Sequence, residues 1–191
     1  MTLRTTLVAA LIALVGLGGS RALAAQTAPR HTAADARFMQ EMIGHHAQAV
    51  EMATLVEART TSSAIRLLAE RISVSQTDEI VWMKEWLTDR GEPLPDPHAH
   101  HGAAHASMPG MLTDAQMAEL RAAREADFDR LFVTFMIQHH EGALVMVAQL
   151  LDTPRAAQEA ATAYFVAEVD SDQRMEIARM RMMLSKTPDP H

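Results

Sequence analysis

Apolar residues recur with a helical period in four long stretches, separated by polar or Gly/Pro-containing breaks. From Phe38, the positions Met42, His45, Ala49, Met52 and Val56 follow at steps of four and three, with Met39, Ile43, His46 and Val50 in a second row beside them. Such steps keep side chains on one helix face, so the pattern predicts a helix from about Ala33 to Arg59 whose wide apolar face carries two adjacent histidines. Thr32 with Asp35 three residues later has the form of a capping box and marks its start. The run Thr60 to Ser63 breaks the pattern and caps a second helix, expected from Ser63 to Arg90, with Gly91 and Pro93 just past its end. Its seam reads Ile65, Ala69, Ile72, Gln76, Glu79, Met83, Trp86, an apolar stripe with two polar residues in it.

After a long connection, Thr113 and Gln116 form another capping box, with Leu112 and Met117 placed as a hydrophobic staple. A helical piece is expected over about Asp114 to Arg124 and a long helix from about Asp127 to Leu151; the pattern leaves open whether these are one helix or two. Thr153-Pro154 reads as an N-cap followed by proline at the first helical position, opening a last helix to about Leu184 before Pro188 and Pro190.

These stretches repeat. At an offset of 94, Asp35, Phe38, Met42, Ile43, His45, His46, Ala49 and Met52 recur as Asp129, Phe132, Met136, Ile137, His139, His140, Ala143 and Met146. At an offset of 97, Gln76, Glu79, Ile80, Met83 and Leu87 recur as Gln173, Glu176, Ile177, Met180 and Leu184. Each half is therefore a helical hairpin, and the two hairpins make an all-α four-helix bundle with approximate internal two-fold symmetry. Repeat one covers 32–91, the connection 92–112, and repeat two 113–187.

The repeated polar residues lie where the pattern predicts core, and burying them unpaired costs several kcal/mol. One solution is a metal-free network in which His45 and His139 donate to Glu79 and Glu176. The other is a metal site. Met42, His45, His46 and Met52 share one side of their helix, and Met136, His139, His140 and Met146 share the matching side of theirs. Glu79, Glu176, Met83 and Met180 are secondary candidates. Thioether with neutral imidazole suits Cu(I), and imidazole also serves Cu(II), whereas zinc has no use for the methionines. Iron or manganese in a bundle core draws on Glu-x-x-His, which this chain lacks. A ferritin-like di-metal redox enzyme therefore ranks below copper binding, and a metal-free helical interaction module is the third reading. A metal-binding protein is favoured over an enzyme.

Composition sharpens this. Fourteen methionines and no cysteine leave thioethers and imidazoles as the soft donors, and neither disulfides nor thiolates are available. Residues 1–24 have the form of a secretory signal, with Arg4, an apolar run from Leu7 to Leu17, and Ala22-Leu23-Ala24 as the cleavage site. The run is short for a membrane span of about 20 residues. Cleavage near Ala24 would leave residues 25–191 as a periplasmic or secreted bundle domain not held in a membrane. Of 17 basic residues, Arg4 and Arg21 lie in that segment, leaving 15 against 24 acidic residues, a balance near −9 that disfavours nucleic acid as a partner. The connection carries His98, His100, His101 and His105, then Met108 and Met111, a tract able to capture a metal ion as His-rich segments do. The protein's expected partners are a metal ion and a periplasmic copper donor or acceptor protein.

The two Asp-x-x-Phe-x-x-x-Met-Ile-x-His-His blocks, beginning at Asp35 and Asp129, with Met108-Pro109-Gly110-Met111 between them, resemble the exported bacterial domain-of-unknown-function family 305. The resemblance spans essentially the whole chain after residue 24. It implies a ferritin-like four-helix fold and, since some members are periplasmic or secreted copper-binding proteins linked to copper resistance, copper handling through Met42, His45, His46, Met52 and their repeat partners. The blocks differ at Ala47-Gln48 against Glu141-Gly142, so the two halves are not fully equivalent.

Overall fold

A computed structural model describes residues 31–96 and 108–185. The expected signal segment 1–24, the histidines 98, 100, 101 and 105, and the C-terminal prolines lie outside the described residues. Five α-helices and no strand occur among the described residues: α1 (Ala33–Thr54), α2 (Ser63–Asp89), α3 (Asp114–Ala122), α4 (Glu125–Leu151) and α5 (Ala160–Leu184). Helices α1 and α2 form one antiparallel hairpin, α4 and α5 the other, and the hairpins meet mainly through α1 and α4. The short α3 lies against α4.

Both capping boxes form as the sequence predicts. The Thr32 hydroxyl accepts from Asp35 N while Asp35 accepts from Thr32 N, and Thr113 with Gln116 does the same at α3. Helix α1 gives way at Thr54 to a 3-10 turn over Val56–Ala58, so the expected end at Arg59 holds only as this tightened last turn. The α3/α4 question resolves as two helices. Ala123 and Arg124 are extended, and Glu125 has φ 47°, a left-handed backbone that a non-glycine residue adopts at a cost of about 1–2 kcal/mol. That conformation is held from outside: Glu125 N–H donates to the Arg59 carbonyl at 2.7 Å and its carboxylate accepts from Thr61.

Thr153-Pro154 does not open the last helix. The Thr153 hydroxyl donates backward to the Gln149 carbonyl at 2.9 Å and so caps no forward N–H. The chain then turns through Arg155 and Ala157, both at positive φ, and α5 begins at Ala160. The turn is pinned by Asp35, whose second carboxylate oxygen accepts from Ala157 N at 2.7 Å. Asp129, the repeat partner of Asp35, bonds Thr60 in the turn between α1 and α2. Each hairpin thus uses one aspartate to hold the turn of the other.

The core is two apolar clusters. One contains Phe38, Met39, Met42, Ile43, Met83, Trp86, Leu87, Met146, Leu150, Phe165 and Val169. The other contains Met52, Val56, Ile65, Ile72, Met117, Phe128, Phe132, Met136, Ile177 and Met180. On each long helix the chain passes from one cluster to the other across a polar segment: His45-His46, Gln76 to Glu79, His139-His140 and Gln173 to Glu176. Helix α4 is long and apolar enough to cross a membrane on length and composition, but its largest apolar residues, Phe128, Phe132 and Met136, are buried in this core. Near one end, Trp82 stacks on Phe165 at 4.2 Å between centroids, and Trp86 Nε1 donates to Thr162 Oγ1 at 3.1 Å.

Asp35 is 1% exposed and serves both its own helix and the opposite turn. Asp35→Ala is expected to lower stability by about 2–4 kcal/mol, combining a lost cap with a lost charged hydrogen bond. Asp129→Ala, at a more exposed position, is expected to lower it by less. Urea unfolding of the two variants checks both the size and the order.

Candidate metal centre

The polar segments of the four long helices meet in one layer between the apolar clusters. His45, His46, His139 and His140 are all buried, as are Gln76 and Gln173. The first histidine of each pair faces its repeat partner across the α1/α4 contact: the His45 and His139 rings lie 3.9 Å apart between centroids, tilted by 40°. The second histidine of each pair turns toward its own hairpin. His46 Nε2 lies 2.5 Å from Glu79 Oε2, and His140 Nε2 lies 2.6 Å from Glu176 Oε2. The sequence-based network had His45 and His139 donating to those glutamates. The structure assigns the carboxylates to His46 and His140 instead, because a one-residue step rotates a helical side chain by about 100°, from the bundle centre toward α2 or α5.

Hydrogen-bond supply falls short of demand. His45 Nε2–H donates to the Pro109 carbonyl at 3.0 Å. Nδ1 of His45, His46 and His140, and both ring nitrogens of His139, are buried without a hydrogen-bond partner. Burial, reinforced by the neighbouring His46 and His140 rings, lowers the His45 pKa to about 3, and burial together with the neighbouring His45, His140 and His46 rings holds His139 well below the ordinary histidine value. Both imidazoles are therefore neutral at pH 7, with lone pairs available. Gln76 and Gln173 add further unpartnered side-chain oxygens to the layer.

The methionines flank this layer on both sides. Met42, Met83 and Met146 lie in one apolar cluster, and Met52, Met136 and Met180 in the other. The two sets are related by the repeat, each drawing two methionines from one hairpin and one from the other. The sequence-predicted residues thus form a histidine centre with a thioether set on each side. Among the described residues, no three His, Asp or Glu side chains are arranged to hold a metal ion. The donor set present, neutral imidazole and thioether without thiolate, fits a soft cation and gives a hard one little to bind.

Met108 and Met111 belong to a strap, residues 108–112, laid across one side of the layer. Met108 packs on the first cluster, and Met111 lines a cleft of about 200 Å³ with Gly44, Gln48 and Met117. The strap explains the mismatch between the two repeats. Gln48 grips it through both ends of its amide, Nε2 to the Leu112 carbonyl at 3.1 Å and Oε1 from Leu112 N at 2.8 Å. Its repeat partner is Gly142, where a Cβ would stand 2.1 Å from the Pro109 oxygen and 2.5 Å from Gly110 Cα. Helix α1 thus grips the strap through Gln48, while α4 leaves room for it at Gly142 and adds only a long hydrogen bond, Gln138 Nε2 to the Gly110 carbonyl at 3.4 Å. Sequence reasoning noted the mismatch without its cause, and the only available signal was the Met-Pro-Gly-Met run itself.

The family is now plain. The model of the domain of unknown function DUF305 matches residues 35–184. The chain belongs to that family. A DUF305 fragment from Deinococcus radiodurans is similar at 30% identity and TM-score 0.72, over 82% of this chain and 99% of that one. A DUF305 protein from Streptomyces coelicolor, assigned as secreted, is similar at 28% identity and TM-score 0.69, over 83% of this chain and 96% of its own. CopM in its Cu(I)-bound form is similar at 25% identity and TM-score 0.61, over 79% of this chain and 95% of that one. No curated protein matches the chain.

Two outcomes follow from this geometry. In the unfolded chain His45 and His139 take up a proton near pH 6.5, whereas the folded chain holds His45 neutral down to about pH 3. Stability is therefore full above pH 6.5 and falls as pH drops toward 3, by about 1.4 kcal/mol per pH unit for each histidine so held. Thermal unfolding between pH 7 and 4 should show this slope, and the double variant His45→Leu, His139→Leu should flatten it. Gly142→Ala should push the strap off α4 and cost about 1–3 kcal/mol through overpacking. Chemical unfolding of the variant checks this.

Proposed function

We propose that this DUF305 protein is an exported copper-binding protein that sequesters copper or passes it on in the periplasm. The carrying observation is the buried layer of His45, His46, His139 and His140, with unpartnered ring nitrogens and a methionine set on either side. Such a layer costs stability in an empty bundle and gains it when a cation accepts the lone pairs. Imidazole and thioether together bind Cu(I), and imidazole alone also binds Cu(II). CopM, similar to this chain over most of its length, is known in Cu(I)-bound and Cu(II)-bound forms, which supports the same choice of metal. The similarity to a Streptomyces DUF305 protein assigned as secreted supports export, together with the signal-like residues 1–24.

In this reading His45, His46, His139 and His140 hold the ion, with Met42, Met52, Met136 and Met146 as thioether donors and Met83 and Met180 beside them. The connection through His98, His100, His101, His105, Met108 and Met111 assists capture. Iron or manganese chemistry has less support, since Glu79 and Glu176 are each engaged by a histidine of their own hairpin.

Purified protein is expected to bind copper well above background in at least one oxidation state. Replacing the four histidines should abolish tight binding, while deleting 98–105 should weaken capture only modestly. Elemental analysis after expression with mixed metals, with circular dichroism to confirm the fold, checks this. Absence of copper from folded protein in both oxidation states defeats the reading, and loss of binding on deletion of 98–105 alone moves the site to the connection.

A further inference from the structure

A neutral imidazole has one N–H and one lone pair, and only the lone pair can meet a cation. Hydrogen bonds within the layer decide which nitrogen is which for three of the four histidines. A carboxylate and a peptide carbonyl accept and never donate. His46 Nε2 faces Glu79 at 2.5 Å, His140 Nε2 faces Glu176 at 2.6 Å, and His45 Nε2 faces the Pro109 carbonyl at 3.0 Å. Each of these Nε2 atoms must carry hydrogen. In all three rings Nδ1 is buried with no partner, so a second hydrogen there would be a donor without an acceptor in a dry interior. What remains at Nδ1 is a lone pair.

We propose that Glu79, Glu176 and the Pro109 carbonyl are positioning groups that hold His46, His140 and His45 as the Nε2–H tautomer, so that Nδ1 is the atom each ring offers a soft cation. The identity of that cation rests on the copper reading above; the tautomer does not. The glutamates thereby cease to be candidate ligands and become the groups that orient ligands. An imidazole hydrogen-bonded through its far nitrogen to a carboxylate is fixed in rotation and made more basic, and losing such a partner typically costs 10–100-fold in metal affinity. The repeat makes the device double: α2 supplies the carboxylate for α1, and α5 supplies it for α4. The strap adds a third acceptor on one side only. His139 meets neither a glutamate nor the strap; the His45 backbone carbonyl lies near it but outside hydrogen-bonding geometry, so no acceptor fixes its tautomer.

Long-range nitrogen-15/proton correlation spectra of the histidine rings test the tautomer in protein that has never seen metal. His45, His46 and His140 should each show a protonated Nε2 and an unprotonated Nδ1. Cu(I), added anaerobically with a reductant, is diamagnetic and should move the Nδ1 resonances. Glu79→Ala should mix the tautomers of His46, leave His140 unchanged, and weaken Cu(I) binding by roughly 10–100-fold. Glu79→Gln, whose amide oxygen still accepts, should keep the His46 tautomer, and Glu176→Ala should repeat the effect at His140. These paired variants keep the test intact if one fails to fold. Hydrogen on Nδ1 in the metal-free protein overturns the tautomer assignment whatever copper does. Copper bound through Nε2, or Cu(I) affinity unchanged in folded Glu79→Ala, overturns the positioning role and leaves the copper reading standing. Protein with the expected tautomers that binds no Cu(I) overturns Nδ1 as the ligand atom, along with Cu(I) as the cargo.

Discussion

Four imidazoles buried between two apolar clusters leave five ring nitrogens without a hydrogen-bond partner, and an unpartnered buried polar atom costs roughly 1–3 kcal/mol. That deficit sits at the middle of all four long helices, so every other feature of the fold works around it. Apolar residues fill the space on both sides, with fully buried phenylalanines and methionines supplying the burial that offsets the layer. The glutamates reach in from α2 and α5 to satisfy one nitrogen of each outer histidine, and the strap carbonyl satisfies one more. Leucine at these positions would make a better-packed bundle by ordinary core logic. A sequence that repeats the deficit in both halves is one whose polar layer answers to something other than stability.

Symmetry in this molecule is kept wherever the two hairpins face each other and broken where the strap enters. The His45–His139 contact, the two His–Glu pairs, the two methionine sets and the exchanged aspartates Asp35 and Asp129 all obey the repeat. Gln48 and Gly142 do not, and both touch residues 109–112. A single-chain duplication needs one connection between its halves, and that connection can lie on only one side. Its consequence reaches the centre, since it provides the acceptor that distinguishes His45 from His139.

Helix positions, both capping boxes and the buried histidine face were legible in the sequence because they are local: periodicity and cap residues act within a turn or two of chain. The partner of each histidine was not. Choosing between His45 and His46 for Glu79 requires the rotation of α1 against α2, which spacing alone leaves undetermined. Thr153-Pro154 misled for a related reason. Its residue types suit an N-cap, but the Thr153 hydroxyl finds the Gln149 carbonyl behind it, and the turn that follows is stabilised by Asp35, 122 positions away. Periodicity and the repeat led to the four-helix bundle and the donor types pointed to copper, the family resemblance implied the same, and none of them said which groups orient which rings.

The placement of the layer also couples whatever it binds to the assembly of the two hairpins. His45 and His139 come from different hairpins, and their contact lies where α1 meets α4. The His–Glu pairs stay within a hairpin. Ligation shared by His45 and His139 would tie the halves together, adding binding free energy directly to the stability of the bundle. Ligation by His46 or His140 alone would stabilise one hairpin and leave the α1/α4 seam to its apolar contacts. The aspartate exchange joins the hairpins at both ends, Asp35 to the turn before α5 and Asp129 to the turn before α2, and the Trp82–Phe165 stack and the Arg90–Glu159 pair join α2 to α5 and its N-cap. A cation accepting lone pairs from both His45 and His139 would add a link between the hairpins midway between those two ends.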